Sequence, residues 1–379
     1  MNSFNMPEEK FSIPDFDELG WLMASCDRSD VFRALQSDRV DVKGLAALLS
    51  PHADEFLPQL AARSARITSQ RFGRTIQLYA PLYLSSFCTN NCLYCGFSAR
   101  NKIVRKVLTF DEAEREAMIL HDRGFHHILL VAGEAPARMG VEYLEEIAFR
   151  LRERFAAISI EVQPLETEEY GRLFQAGITG VAVYQETYDR RVYEYVHPVG
   201  KKRDFEYRLA TPARVAAAGM REVGIGALLG LADWRLEGLA LGLHLAWLRK
   251  HYWRTALTVS FPRLRPAEGG FQPLVPVSEK MLTQLMFALR IFDHDVGLLL
   301  STREESRFRD GMVGLGPTRY SAGSCTAPGG YGEPAQSDEQ FAVGDHRSMD
   351  EVCDSIFQKG FDPVRKDWDA TFQRQESVA

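Results

Sequence analysis

The sequence lacks a basic excess, a long apolar run and a regular set of cysteines, and each absence removes a class of function. Its 45 Lys and Arg residues fall short of 51 Asp and Glu, a formal net charge of -6. Nucleic-acid phosphates call for clustered cations, so this balance speaks against a nucleic-acid partner. No segment reaches the roughly 18 apolar residues of a membrane span. The opening MNSFNMPEEKFSIPDFDELGWLMASCDRSD has no basic start followed by an apolar run. The expectation is a cytoplasmic protein without a membrane partner. Internal repeats and low-complexity tracts are absent as well. Six cysteines in 379 residues do not make a disulfide framework, and in a reducing compartment a tight group of them points to metal or chemistry.

What is present is an ordinary globular composition, 45% hydrophobic and 25% charged, with length for a large core. Residues 1–73 read as an N-terminal helical lead-in, with short pieces such as DELGWLMASCD and VKGLAALLS broken by Pro, Asp and Ser. From residue 74 onward short apolar runs alternate with amphipathic runs, the signature of strand and helix units around a parallel sheet. The strands are expected at 75–84, 126–133, 158–165, 180–185, 222–230, 256–262, 297–302 and 318–324. Intervening helices include DEAEREAMILHDRG, where Thr109 and Glu112 form a capping box and Gly124 a stop. Eight such units predict an α/β fold of the (β/α)8 TIM type over 74–324, with residues 325–379 as a tail packed on the barrel.

The chemistry-bearing stretch is FCTNNCLYCGF, with Cys88, Cys92 and Cys95 on the loop after the first strand. Thiolates suit zinc or an iron-sulfur cluster. A structural zinc site pairs two short hooks into four ligands, yet Cys26, Cys325 and Cys353 are isolated. Three ligands on one loop instead leave a four-iron cluster with one iron open to a small molecule. Core cysteines are the plain alternative, and the flanking Thr, Asn and Gly argue against it. Tyr94, just before the last cysteine, is placed to pack against a planar ligand.

This C-x3-C-x2-C motif resembles the radical S-adenosylmethionine (SAM) superfamily. The resemblance implies a [4Fe-4S] cluster whose open iron is chelated by SAM, and which when reduced cleaves SAM to methionine and a 5′-deoxyadenosyl radical. In a parallel barrel the site lies at the C-terminal strand ends. The second strand ends VAGE, and the superfamily's usual GGE implies that Gly133 and Glu134 hold the SAM amino group; Ala132 is a departure. The ordinary alternative for Glu134 is a solvated carboxylate. Glu161 and Gln163 share one face of the third strand by alternation and suit ribose or amino-acid contacts. Gln185 and Glu186 end the fourth strand, as ligand contacts or helix caps. Arg303, at the mouth of the seventh, offers a fork for a carboxylate, unless it is spent on Glu304 or Asp310. Ser321 and Ser324 can approach a ligand at the eighth, where Cys325 reads as a bystander.

Taken together, YLSSFCTNNCLYCGFS, EVQPLETEEY, YQETYD, RLATPAR, GALLGL, SFPRLRP, LSTRE, SAGS followed by PGGY, and VRKDWD resemble the 2-iminoacetate synthase family, the tyrosine lyases of thiamine thiazole synthesis, over residues 70 to 370. The resemblance implies hydrogen removal at the amino nitrogen of L-tyrosine, then Cα–Cβ cleavage to 2-iminoacetate and p-cresol. It implies Cys88, Cys92 and Cys95 as cluster ligands, Tyr94, Glu134 and Gln163 for SAM, and Arg303 for the tyrosine carboxylate. Implied partners are a flavodoxin or ferredoxin donor and a thiazole synthase. The rival readings are the tyrosine lyase of hydrogenase cofactor maturation, a lyase of another aromatic amino acid, and a non-catalytic zinc-binding scaffold. Against the first, the chain ends at FQRQESVA with only Cys353 in its tail.

Overall fold

The structure is a computed structural model describing residues 10–366. The first nine residues of the lead-in, the last part of VRKDWD and the FQRQESVA end lie outside the described residues.

Eight parallel strands close into a barrel: β1 Thr75–Ser85, β2 His127–Ala132, β3 Ala157–Glu161, β4 Gly180–Ala182, β5 Glu222–Gly226, β6 Ala256–Ser260, β7 Gly297–Leu300 and β8 Arg319–Ser321. Closure comes from β1, which pairs with β8 through Gln77 and with β2 from Ala80 onward. Side-chain alternation divides the strands between two cores. On β1, Ile76, Leu78, Ala80, Leu82 and Leu84 face outward into the main core beneath the helices. Tyr79 and Tyr83 face inward and join Leu129, Val131, Leu299 and Phe97 in a smaller core inside the barrel. The intervening helices form as their sequences direct. Thr109 and Glu112 make the reciprocal cap of helix Phe110–Asp122, and Gly124, at φ 92°, follows its end.

The lead-in folds into helices Phe16–Ala24, Arg28–Gln36, Val42–Leu49 and Leu57–Phe72, which pack on barrel helices Trp234–His251 and Glu279–Phe292. Most expected strands are shorter than their apolar runs, because the chain turns into loops at the barrel mouth. After β8 the chain doubles over the mouth as a strap. It then forms helix Met349–Gln358 and a ninth strand, β9 Asp362–Val364, absent from the sequence-based expectation. β9 pairs in parallel with Thr75–Gln77, and Gln77 faces Arg319 on one flank and Val364 on the other, so β9 fills the gap below β2. Buried Arg309 pins the strap by pairing with Asp345 and donating to the carbonyl of Ser321. At the opposite end, Arg319 grips Glu222 through two bonds of 2.6 and 2.8 Å and reaches Gln77 at 2.8 Å, closing the barrel floor. No helix among the described residues is long and apolar enough to cross a membrane.

Candidate active site

The mouth of the barrel holds a cavity of about 160 Å³ lined by all three loop cysteines together with residues from the ends of the strands. The cysteine loop is seated by Phe97, buried in the inner core, and polar contacts hold the rest of it. The Arg105 guanidinium donates to the carbonyls of Ser86 at 2.6 Å, Phe97 at 2.9 Å and Ser98 at 2.6 Å. Asn101 donates to the carbonyls of Cys95 and Gly96 at 3.1 and 2.9 Å. The backbone amides of Asn91 and Leu93 are bonded to the carbonyls of Val199 and Val196. Gly133 lies so close under the loop that a Cβ there would stand 2.3 Å from the Phe87 carbonyl oxygen, which explains a glycine at this position.

Cys88, Cys92 and Cys95 are free thiols. Burial pushes Cys92 and Cys95 up, and charge on the neighbouring thiols of the loop pushes them further, so the sulfurs are within electrostatic reach of one another. Among the described residues, no three His, Cys, Asp or Glu side chains are grouped so as to hold a metal ion. Three separated thiols around one cavity suit a polynuclear cluster better than a mononuclear centre, and binding it would displace their protons.

Beside the thiols stands a buried quartet. Glu134 accepts from Arg208 at 2.9 Å and from Asn90 at 2.7 Å. Glu186 accepts from Lys202 at 2.6 Å and lies 3.6 Å from Arg208. Burial pushes the Glu186 carboxyl up, but Lys202 and Arg208 outweigh it and hold it below the usual carboxylate range. Glu186 is the one non-glycine residue among those described with positive φ, at 71°, and this turn is what aims its side chain at both cations. Two anions and two cations on one wall match the amino and carboxylate groups of an amino-acid moiety. Sequence reading did not find Lys202 or Arg208, whose pattern is that of solvent-facing helix residues, and left Glu186 between cap and ligand. Only the long-range pairings mark them, Arg208 with Glu134 and Lys202 with Glu186.

Of the other expected residues, Tyr94 lines the cavity with its hydroxyl 2.8 Å from His197 Nε2. The His197 Nδ1 faces the carbonyl of Tyr193 at 2.9 Å, so Nδ1 donates and Nε2 accepts from Tyr94. Glu161 lines the cavity too, and burial, reinforced by Glu186, raises its carboxyl to about 7. Gln163 does not line it. β3 ends at Glu161, so alternation no longer aims Gln163 inward, and its amide donates instead to the Met139 carbonyl at 2.7 Å. Gln185 is likewise buried away from the cavity.

Arg303 lies in the cavity wall with its guanidinium 3.3 Å from the ring centre of Phe341 in the strap. The partners expected to occupy it are taken: Glu304 binds Arg263 at 2.9 Å and Asp310 binds Arg347 at 3.0 Å. Among the described residues no carboxylate bonds to the Arg303 guanidinium. The Ser321 hydroxyl accepts from the Thr302 amide at 2.9 Å, and the Ser324 hydroxyl is buried without a partner. Tyr79 and Tyr184 form the cavity bottom.

A parallel barrel with three thiols on the loop after its first strand, and a buried wall of two carboxylates and two cations beside them, fits an enzyme of the radical SAM class. The chain belongs to that superfamily, whose pattern matches residues 82–241; the Biotin and Thiamin Synthesis associated domain matches residues 260–362. It is 44% identical over 361 residues, 95% of its length and 96% of the relative's, to the 2-iminoacetate synthase of Escherichia coli strain K12. Identity to the Salmonella typhimurium 2-iminoacetate synthase is 44% over 347 residues. The chain is therefore a member of the 2-iminoacetate synthase family. Among solved structures, the FeFe-hydrogenase maturase HydG from Carboxydothermus hydrogenoformans has a TM-score of 0.86 at 32% identity, covering 96% of this chain and 86% of that one. Methylornithine synthase (PylB), at 22% identity and TM-score 0.69, shares the fold. Membership of the superfamily carries with it a [4Fe-4S] cluster and SAM as cofactors.

Proposed function

We infer that the protein is a radical SAM lyase that cleaves the Cα–Cβ bond of L-tyrosine, giving 2-iminoacetate for the thiazole of thiamine and p-cresol. The observation that carries this reading is the uncommitted guanidinium of Arg303 in the same cavity as the three thiols. It is a carboxylate receptor facing a radical source. The family relationship to 2-iminoacetate synthases supplies the substrate.

Cys88, Cys92 and Cys95 would hold the cluster, and the wall of Glu134, Glu186, Lys202 and Arg208 the amino-acid end of SAM, with Gly133 giving the close approach and Tyr94 packing beside it. When bound, this pair supplies a 5′-deoxyadenosyl radical for hydrogen-atom abstraction. Everything else is positioning, because such a radical must meet one bond only. Arg303, stacked on Phe341, fixes the tyrosine carboxylate. Glu161, raised to about 7 and so about half protonated near pH 7, can donate or accept a hydrogen bond toward the substrate amine or the cofactor. Tyr79, Tyr83, Tyr184 and the strap keep water out. Ser321 shapes the same wall, with its hydroxyl held by Thr302.

The resemblance also supports a flavodoxin or ferredoxin as electron donor, a thiazole synthase as recipient of the imine, and action in the cytoplasm. The test is an anaerobic incubation of cluster-loaded protein with SAM, dithionite and L-tyrosine. Formation of 5′-deoxyadenosine, p-cresol and glyoxylate, the hydrolysis product of the imine, is expected. Deoxyadenosine without p-cresol would retain the radical enzyme and overturn its substrate.

A further inference from the structure

The strap that covers the mouth meets the loop after β1 at Val104, whose amide donates to Asp338 at 2.8 Å, and again at Gly96 and Cys95, where the contact has the chemistry of a potential-setting device. Gln340 Nε2 stands 3.7 Å from the sulfur of Cys95, within range of an N–H···S hydrogen bond. Its Oε1 accepts from the Tyr83 hydroxyl at 2.7 Å. That bond fixes the direction of the amide, since a flipped Gln340 would turn its oxygen toward an electron-rich sulfur. Burial keeps the Tyr83 phenol well above its ordinary value, so it remains a protonated donor. The main chain seats the residue independently of its side chain. Gln340 N–H donates to the Thr326 carbonyl at 3.1 Å, and its own carbonyl accepts from Gly96 at 3.2 Å. Gly96 has no alternative here, because a Cβ would lie 2.5 Å from the Gln340 oxygen.

We propose that Tyr83 and Gln340 form a two-bond relay that ends on the sulfur of Cys95 and raises the reduction potential of the cluster held there. The inference rests on the cluster reading of the three thiols. A hydrogen bond to a ligating thiolate draws electron density from it and stabilises the reduced, more negative cluster, and such bonds are among the protein's means of setting cluster potential. Nothing in the cysteine motif requires this group. It comes from the other end of the chain, 245 residues away, so the cover that closes the cavity also tunes what lies beneath it. Gln340 is in this sense a positioning and tuning residue, touching a ligand of the cluster and no substrate.

The experiment is an EPR-monitored redox titration of the reconstituted full-length protein without tyrosine, comparing the parent with Gln340→Leu, Tyr83→Phe and the double variant. Gln340→Leu removes the donor and leaves the backbone bonds of residue 340 in place. Its midpoint should fall. Tyr83→Phe keeps the donor but releases its orientation, so its midpoint should fall by less, and the double variant should match Gln340→Leu alone. That non-additivity is the signature of a relay. An unchanged midpoint in Gln340→Leu overturns the proposal. A lowered Gln340→Leu with an unchanged Tyr83→Phe also overturns it, assigning the shift to solvent access at the cluster. Absence of any cluster signal in the parent would overturn the cluster reading itself, a result plainly different from a cluster whose potential ignores Gln340.

Discussion

Arg303 shows how much a single residue can reveal and how much it hides. Its type and its place after an apolar strand point to a carboxylate, and the structure finds Glu304 and Asp310 engaged elsewhere. What no sequence reading could supply is Phe341, which flattens the guanidinium against its ring from the strap. Lysine in its place would keep the charge and lose both the fork and the stacking. Arg303→Lys should therefore raise the tyrosine KM about 10- to 100-fold, in line with roughly 1.5–3 kcal/mol for a charge-assisted pair. Iron content and visible absorption should stay as in the parent; an unchanged KM would remove Arg303 from the substrate site. Glu186 and Arg208 mark the opposite case. Their roles come from a left-handed backbone turn and a partner 74 residues away, neither of which leaves a pattern in the sequence.

At the scale of elements, periodicity located all eight barrel strands, and failed where the chain stops being a strand. Extending β3 past Glu161 is what turned Gln163 inward on paper, whereas the true loop gives its amide to Met139. The strap and β9 were unreadable because a Gly- and Pro-rich stretch has no period and its partners are distant. The loop after β4 carries a further element-scale device. Glu237, fully buried on helix Trp234–His251, accepts from the Thr187 hydroxyl and from the Tyr188 amide at 3.0 Å, nailing the chain immediately beyond Glu186. Burial raises its carboxyl to about 8, above the value of an unfolded glutamate near 4.3. Folding thus takes up a proton between those values, so this stability is complete below about pH 4.3 and is lost as pH rises through 8. Glu237→Gln keeps the acceptor and discards the charge. The unfolding free energy of the parent, measured by urea titration, should fall from pH 5.5 to 8 by an amount on the order of 2–4 kcal/mol, and that of Glu237→Gln should stay nearly level. Parallel slopes for the two proteins would rule out Glu237 as the titrating group.

For the whole molecule, the barrel carries the thiol-lined cavity at one end and is closed at the other by charge. The pair Glu222 and Arg319 spans from β5 to β8 across the floor, and Arg319 outweighs burial in holding the Glu222 carboxyl below its usual range. Removing one partner of such a largely buried pair strands a charge with little water to solvate it, at a cost of up to about 3–5 kcal/mol. Glu222→Leu should lower the thermal midpoint sharply, while the double change with Arg319→Met should recover most of the loss. If the double variant were no better than the single, the floor would owe its strength to packing rather than to the pair.

The order in which the chain is made gives the strap a further meaning. Cys95 leaves the ribosome 245 residues before Gln340. At about 5–20 residues per second, the three thiols spend roughly 12 to 50 seconds without their cover. During that interval the iron supply has open access to the loop, and so does oxygen. Once the strap docks, both must pass the mouth, and the finished protein guards a site that the growing one leaves bare.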